Sequence, residues 1–338
     1  MHNPLSINNV SDLPRYFWHP SVVYVPDEIG GHRWWMAQTP FPPCDIEPYR
    51  DRYELPCIHY SDDGVNWESI CNPIDDLTDE QVKNKDFMSD PHLIVKDDCL
   101  EIYYRLSIRL KRKDTYTLLF KRTSDNGYDW SERILVADLR KADDIDIWGD
   151  KIISPAIVWT GTRYECYYVD ASRHVCTRGI LKVISTDGIH WKKIGYCELN
   201  GYNNIPWHID VQCIDGLYHM ISYGDPDGAI VLLTSTDGLS WNYKQEILRP
   251  SSNKWSFYSR ELYRSCLVKR NDVYFVYFSG ANIFRSYIGL LKTKDWQTYE
   301  MVEGGTSFRY LYDCFLDALN YYPKRAVEKV HKYIKSLF

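Results

Sequence analysis

An all-β protein built of five four-stranded sheets packed radially about a channel is what this sequence predicts. Three observations predict it. A short segment, Ser61-Asp-Asp-Gly-Val-Asn-Trp67, recurs as Ser124-Asp-Asn-Gly-Tyr-Asp-Trp130, Ser185-Thr-Asp-Gly-Ile-His-Trp191 and Ser235-Thr-Asp-Gly-Leu-Ser-Trp241, with a worn copy at Thr293-Lys-Asp-Trp296. Each copy sits at the same place in a unit of the same strand order. Aromatic residues make up 15% of the chain, with 28 Tyr and 12 Trp, which favours pleated, half-buried surfaces.

The repeated segment reads as a hairpin. Asp/Asn-Gly supplies the positive φ of a tight turn, and the Trp opens the next strand and packs the turn down. The first strand of each unit reads His19-Pro-Ser-Val-Val-Tyr24, Asp90-Pro-His-Leu-Ile-Val95, Ser154-Pro-Ala-Ile-Val-Trp159, His208-Ile-Asp-Val-Gln-Cys213 and Tyr263-Arg-Ser-Cys-Leu-Val268. An aromatic second strand follows, such as Tyr164-Glu-Cys-Tyr-Tyr168, then a third leading into the turn and a fourth after the Trp. Five such units predict a five-bladed β-propeller over residues 16–301, preceded by an N-terminal extension, 1–15. Residues 302–338 change character. Leu311, Phe315, Leu316 and Leu319 recur at helical spacing, Pro323 interrupts, and Val327, Val330, Ile334 and Leu337 resume it. This predicts a C-terminal α-helical hairpin, packed on the propeller by Leu311, Phe315, Leu319, Val327 and Ile334. The basic face of its second helix, with Lys324, Arg325, Lys329, Lys332 and Lys335, offers contact with a membrane surface or a partner.

Composition narrows the function. A net charge of -6 argues against nucleic-acid binding by bulk electrostatics. No apolar run reaches the length of a transmembrane helix. The polar N-terminus lacks the apolar core of a signal peptide, and the 10 cysteines form no CxxC pair. The expectation is a cytoplasmic chain with reduced cysteines, or a component of a phage or surface assembly, without a metal centre or cofactor beyond a structural ion such as calcium in the channel.

The D-P and S-P strand openings, aromatic strands and S-x-D-G-x-x-W hairpins together resemble the five-bladed glycoside hydrolases of families 43, 32 and 68 and the related family 130 phosphorylases. The hairpin also resembles the Asp box of sialidases, a structural element. In the enzymes it resembles, three channel-lining carboxylates act as base or nucleophile, orienting group and general acid. The resemblance implies that Asp90 is the orienting carboxylate. It departs in blade one, where His19 stands in place of the base. Asp210 is the best second carboxylate and Glu261 the third; catalysis would need one of them raised in pKa. His19, His208, Arg260, Arg264, Trp207 and Tyr263 are the expected substrate-binding residues, the arginines suiting an anionic sugar. Trp34 and Trp35 are further stacking candidates, on opposite faces of one strand. The basic stretch Arg105–Lys113 adds positive charge, and the loop 41–49, with Asp45 and Glu47, would form a rim. Glu165 reads as structural. The predicted function is a carbohydrate-active enzyme, a glycoside hydrolase. The alternatives are an intracellular glycan-transferring enzyme and a non-catalytic glycan-binding propeller.

Overall fold

The computed structural model describes residues 2–8, 17–40, 54–70, 73–110, 115–172, 178–305, 310–312, 314–316 and 318–319. The rim loop with Asp45 and Glu47, the basic residues Lys111, Arg112 and Lys113, and the second tail helix lie outside them.

Five sheets form the molecule. Blade one runs β2 (Phe17–Ile29), β3 (His32–Pro40), β4 (Cys57–Ser61) and β5 (Asn66–Ser69), with β1 (Ser6–Asn8) added outside β5. Blade two holds β6 (Phe87–Lys96), β7 (Cys99–Arg109), β8 (Thr115–Ser124) and β9 (Ile134–Asp138), flanked by helices α1 (Asp79–Asn84) and α2 (Ala142–Trp148). Blade three is β10 (Ile152–Trp159), β11 (Tyr164–Asp170), β12 (Gly179–Ser185) and β13 (Trp191–Tyr196). Blade four comprises β15 (Ile205–Ile214), β16 (Leu217–Asp225), β17 (Ile230–Ser235) and β18 (Ser240–Leu248), with β14 (Glu198–Asn200) outside β18. Blade five is β19 (Glu261–Arg270), β20 (Val273–Ala281), β21 (Ser286–Thr293) and β22 (Glu300–Val302). The innermost strands β2, β6, β10, β15 and β19 pack against one another in a ring.

The hairpin motif behaves as its chemistry requires. In blade one the Ser61 hydroxyl accepts from Gly64 N at 2.9 Å, while Asp63 Oδ1 accepts from Val65 N and Asn66 N. Ser124/Asn126, Ser185/Asp187 and Ser235/Asp237 repeat the pattern. The turn glycine does more than bend the chain. At Gly64, Gly127, Gly188 and Gly238 a Cβ would fall within 2.7 Å of an aromatic side chain from the preceding blade: Tyr277, Trp35, Tyr103 and Tyr167 respectively. The repeat is therefore an inter-blade joint as well as a turn.

Below two of these joints lie buried ion pairs. Lys121 reaches Glu101 at 2.9 Å, with Tyr164 of the next blade donating to Glu101. Lys182 reaches Glu165 at 2.8 Å, with Tyr167 and Tyr218 donating to the same carboxylate. Glu165 is thus placed in a structural pair between blades three and four. Trp34 and Trp35 are completely buried between blades, on the turns at Gly64 and Gly127, so neither stacks on a ligand. The expectation of an exposed aromatic there fails because both faces of β3 are covered.

The tail helix, described at residues 310–312, 314–316 and 318–319, also departs from expectation. It docks on blade five through Tyr310 and Cys314, both buried, whereas Leu311, Phe315 and Leu319 face outward. Polar partners select this face: the Tyr310 hydroxyl donates to Trp255 O, and Asn282 Nδ2 reaches both Tyr310 and Cys314. Apolar periodicity located the helix but marked the wrong side of it.

Candidate functional site

The site is built from bulges. Each innermost strand breaks register close to its start, at His19-Pro20, Asp90-Pro91, Ser154-Pro155, Trp207 and Tyr263-Arg264. His19, Asp90 and Ser154 there adopt φ of 55°, 52° and 53°. Such a conformation in a residue other than glycine costs about 1–3 kcal/mol and clusters at functional sites. A bulge re-aims its side chains, and these bulges turn theirs toward the channel at the end where the inner strands begin.

Asp90 is the centre. Its Oδ2 accepts from Arg105 Nε at 2.6 Å and from Ser154 N at 3.1 Å. Its Oδ1 has no hydrogen-bond partner among the described residues, and faces His19 Nε2 at 3.6 Å, His208 Nδ1 at 3.7 Å and Arg264 Nη1 at 3.7 Å. Burial alone would raise the Asp90 pKa, but the Arg105 guanidinium and its other neighbours outweigh it and hold the carboxylate well below its ordinary range. Both histidines are driven the other way. Burial lowers His19 to about 3 and takes His208 well below its usual value, so both are neutral imidazoles. His19 Nδ1 lies 2.6 Å from the Thr39 hydroxyl; in the tautomer with the proton on Nδ1, that hydroxyl accepts it and Nε2 turns a lone pair toward Asp90. Among the described residues, neither ring nitrogen of His208 has a hydrogen-bond partner.

Behind this group lies a second layer. Arg264 spans the two, with Nη2 donating to Pro155 O at 3.2 Å and lying 3.4 Å from His92 Nδ1. Asp210 Oδ2 accepts from Leu267 N of blade five at 2.8 Å, and Oδ1 lies 3.7 Å from His92 Nδ1. Burial pushes Asp210 up to about 6. Asp210 thus joins neighbouring blades inside the channel, while Asp90 faces the open group of nitrogens.

The wall beside the histidines is aromatic. Tyr263 lies 4.1 Å from His208 and 5.1 Å from Trp18, ring centre to ring centre, and its hydroxyl accepts from Trp207 Nε1 at 2.9 Å. Arg178 covers the Trp207 ring at 4.0 Å. Glu261 and Arg260 stand farther out at the start of β19, Arg260 exposed and Glu261 half-buried with its pKa raised by burial. Of the residues read from the sequence, His19, Asp90, His208, Arg264, Trp207 and Tyr263 come together, with Asp210 behind. Arg105 was read only as part of a basic stretch and Ser154 only as a strand opening, and His92, Thr39 and Glu54 were missed. Glu54 closes the group from the end of the rim loop: burial pushes it up to about 7, with Ser89, Arg105, Asp90 and Arg109 around it.

His19, Asp90 and His208 offer ligand atoms that all lie within 4.8 Å of one another. Two neutral imidazoles and one ionised carboxylate form the donor set of a 2-His-1-carboxylate centre. The partnerless Asp90 Oδ1 and His208 nitrogens fit that use, since buried polar atoms without partners are rare unless a water or ion serves them. Thr39, Arg105 and Ser154 N hold two of the three donors in place from behind. The sequence reading expected no metal; the missing signal was that His19 and His208, on blades one and four, converge on Asp90 across the channel.

No protein-family model matches the chain. It is 24% identical, over 296 residues, to the A type blood N-acetyl-α-D-galactosamine deacetylase of Flavonifractor plautii, covering 73% of this chain and 37% of that relative. The crystal structure of an N-acetylgalactosamine deacetylase from F. plautii, in complex with blood group B trisaccharide, superimposes with a TM-score of 0.70 at 19% identity, over 87% of this chain and 95% of that one. A β-xylosidase gives a TM-score of 0.57 at 10% identity, covering 86% and 97% of the two chains. A family 130 glycoside hydrolase gives 0.53 at 12%, covering 82% and 84%. The resemblance read from the hairpins and strand openings therefore holds for the fold: this chain is a five-bladed propeller of the kind found in glycoside-processing enzymes.

Proposed function

We propose that the protein is a metal-dependent carbohydrate deacylase that removes an N-acyl group, such as acetyl, from an amino sugar. One observation carries this reading: the ionised Asp90 and the neutral His19 and His208 bring ligand atoms within 4.8 Å of one another where three inner strands converge. The likeness to a deacetylase in both sequence and fold supports it.

His19 Nε2, Asp90 Oδ1 and His208 Nδ1 would hold a divalent cation, which when bound polarises a carbonyl and lowers the pKa of water. The chain's own residues would supply the rest. Tyr263 and Trp207 form an aromatic wall against which a sugar ring can lie, steadied by Arg178 over Trp207. Glu54, poised at about 7, would take a proton from the attacking water and return it to the departing amine. Water adds to the acyl carbon, the C–N bond breaks, and a carboxylate and a protonated amino sugar leave. Arg105 and Ser154 N keep Asp90 ionised throughout.

A second reading, glycoside hydrolysis, draws on Asp210, whose raised pKa suits a proton donor. One experiment separates the two. The protein is incubated with N-acetylhexosaminides before and after chelation, and products are weighed by mass spectrometry. The deacylase reading expects loss of an acetyl mass, abolished by chelation, restored by Zn²⁺ or Mn²⁺, and lost in Asp90→Asn and His208→Gln. Cleavage of the glycosidic bond that survives chelation and vanishes in Asp210→Asn would overturn it.

A further inference from the structure

The chemistry proposed above leaves one charged group beside Asp90 unused, Arg264. Of the two arginines in the cluster it is the more deeply buried, 0% exposed against 8% for Arg105. An arginine keeps its proton wherever it lies, so this side chain places a permanent positive charge inside the channel. Burial works against that charge, while Asp90 in the front layer and Asp210 behind support it.

The orientation of Arg264 is fixed from behind. Its Nη2 donates to Pro155 O at 3.2 Å and lies 3.4 Å from His92 Nδ1. His92 Nε2 lies 3.0 Å from Ile157 O, an atom that can only accept, so the ring proton is on Nε2. Burial lowers His92 to about 3, so the ring carries no second proton and Nδ1 accepts from Arg264. Both N–H groups of Nη2 are therefore committed. Nε and Nη1 have no hydrogen-bond partner among the described residues, and Nη1 faces Asp90 Oδ1 at 3.7 Å. The charge is held at this oxygen and cannot withdraw without losing the bonds of Nη2.

Asp90 has a counter-charge without it. Its Oδ2 already accepts from Arg105 at 2.6 Å and from Ser154 N at 3.1 Å, and the facing His19 and His208 are neutral. One negative charge thus meets two positive ones. A cation on Oδ1 would share that oxygen with a fixed positive charge, and in a buried setting such repulsion is little screened. In the metal-free protein the same charge is favourable, because it faces a buried oxygen that no hydrogen bond among the described residues serves. We infer, on the metal-centre reading of His19, Asp90 and His208, that Arg264 is the internal counter-cation of Asp90 Oδ1. It preserves the site when no metal is bound, and it holds the affinity for divalent cations below what the three donors alone would give. Arg264 is in this sense a positioning residue that acts through Asp90.

The test is calorimetric titration of the metal-stripped 338-residue protein, as wild type and as Arg264→Gln, Arg264→Met and Arg264→Lys. Mn²⁺ is the probe, since the free cysteines compete for it less than for Zn²⁺. Gln retains an N–H for Pro155 O, Met retains only bulk, and Lys retains the charge. Arg264→Gln and Arg264→Met should bind Mn²⁺ at least about tenfold more tightly than wild type, and Arg264→Lys should stay within about threefold of it. The melting temperature of the two uncharged variants should be lower than wild type without metal and should rise more on adding it, because a tighter ligand stabilises the folded state more. Loss of a merely structural side chain would loosen the site and weaken binding, so the sign decides. Equal or weaker binding in the uncharged variants overturns the inference and leaves the metal centre standing. Binding absent in wild type but present in Arg264→Gln supports it. Binding absent in all four proteins overturns both readings. Uncharged variants that fold only with Mn²⁺ present support the counter-cation role, whereas failure of both to fold under either condition overturns it, since the role would then be structural.

Discussion

At the scale of single residues, the site depends on groups that touch no ligand. Thr39 holds the His19 ring through Nδ1 from a position on β3, and no motif marks it. Thr39→Val removes the hydroxyl at nearly constant volume, and with it the hydrogen bond that orients the His19 ring. Metal affinity, measured by calorimetric titration of Zn²⁺ or Mn²⁺, should fall 10–100-fold, about the usual effect of losing such a partner. Unchanged affinity would mean that His19 is not a ligand. What the sequence showed of the site follows the same division. His19, Asp90, His208, Tyr263 and Arg264 were legible because each begins an inner strand in an equivalent place, and the prolines after His19 and Asp90 mark the bulge. Arg105, Thr39 and His92 were not. They reach the cluster from second strands, or from the inner layer, where nothing in a linear pattern separates a functional side chain from a packed one.

The hairpin is the element that gave the fold away, because its geometry is local: Ser, Asp and Gly make their bonds within a few residues of each other. Its second role, as a joint between blades, was hidden because the aromatic partner lies tens of residues away. A pair of substitutions separates the roles. Gly216 has φ 80° and open space around its missing Cβ, whereas Gly188 has φ 74° and a Cβ there would meet the Tyr103 hydroxyl at 2.4 Å. Gly216→Ala should cost only the backbone term, about 1 kcal/mol. Gly188→Ala should cost that and a further 1–3 kcal/mol or so, as for other overpacked sites. Denaturant midpoints of the two variants measure the difference; equal losses would show that the joint yields. The tail helix teaches the opposite lesson. Its periodicity was read correctly as helix, yet Leu311, Phe315 and Leu319 face out, because the inward face was chosen by Tyr310 and Asn282 hydrogen bonds that hydrophobic spacing does not encode.

The whole molecule must close a ring whose ends are far apart in sequence. The N-terminal segment does part of this: Leu5 N donates to Ile288 O of blade five, His2 and Asn3 reach Glu303, and β1 then pairs in parallel with β5 of blade one. Strand β14 makes the same parallel addition to blade four. Deleting residues 1–8 should lower the melting temperature by several degrees, for a loss of a few kcal/mol in a domain of this size; an unchanged value would show that closure rests on the inner strands alone. The ring also buries neutral histidines, and this sets its response to acid. His59 lies in blade one, away from the site, with Nε2 3.1 Å from Gln38 and Nδ1 2.8 Å from the Ser69 hydroxyl, and burial lowers it to about 3. In the unfolded chain a histidine takes a proton near pH 6.5. The folded form resists until about pH 3. His59 therefore favours folding above pH 6.5, and that contribution drains away as the pH falls from 6.5 toward 3, because the unfolded state binds the proton first. Glu165 acts in the same direction at lower pH. Burial would raise its pKa, but Lys182 and its other donors hold it below the ordinary value, so its contribution is complete above about 4.5 and lost as the pH falls through the folded pKa. Glu54 and Asp210, which burial raises to about 7 and about 6, act in the opposite sense as the pH falls. His19, His59 and His92, each lowered to about 3, outnumber them, so the melting temperature should begin to fall below about pH 6.5. Glu165→Gln should remove part of the steep limb below about pH 4.5 while leaving the shallow limb between pH 6.5 and 4.5 intact, and His59→Gln should flatten that shallow limb instead. A profile level down to about pH 4.5 in the wild-type protein and unchanged by His59→Gln would mean that the His59 imidazole takes up its proton in the folded state.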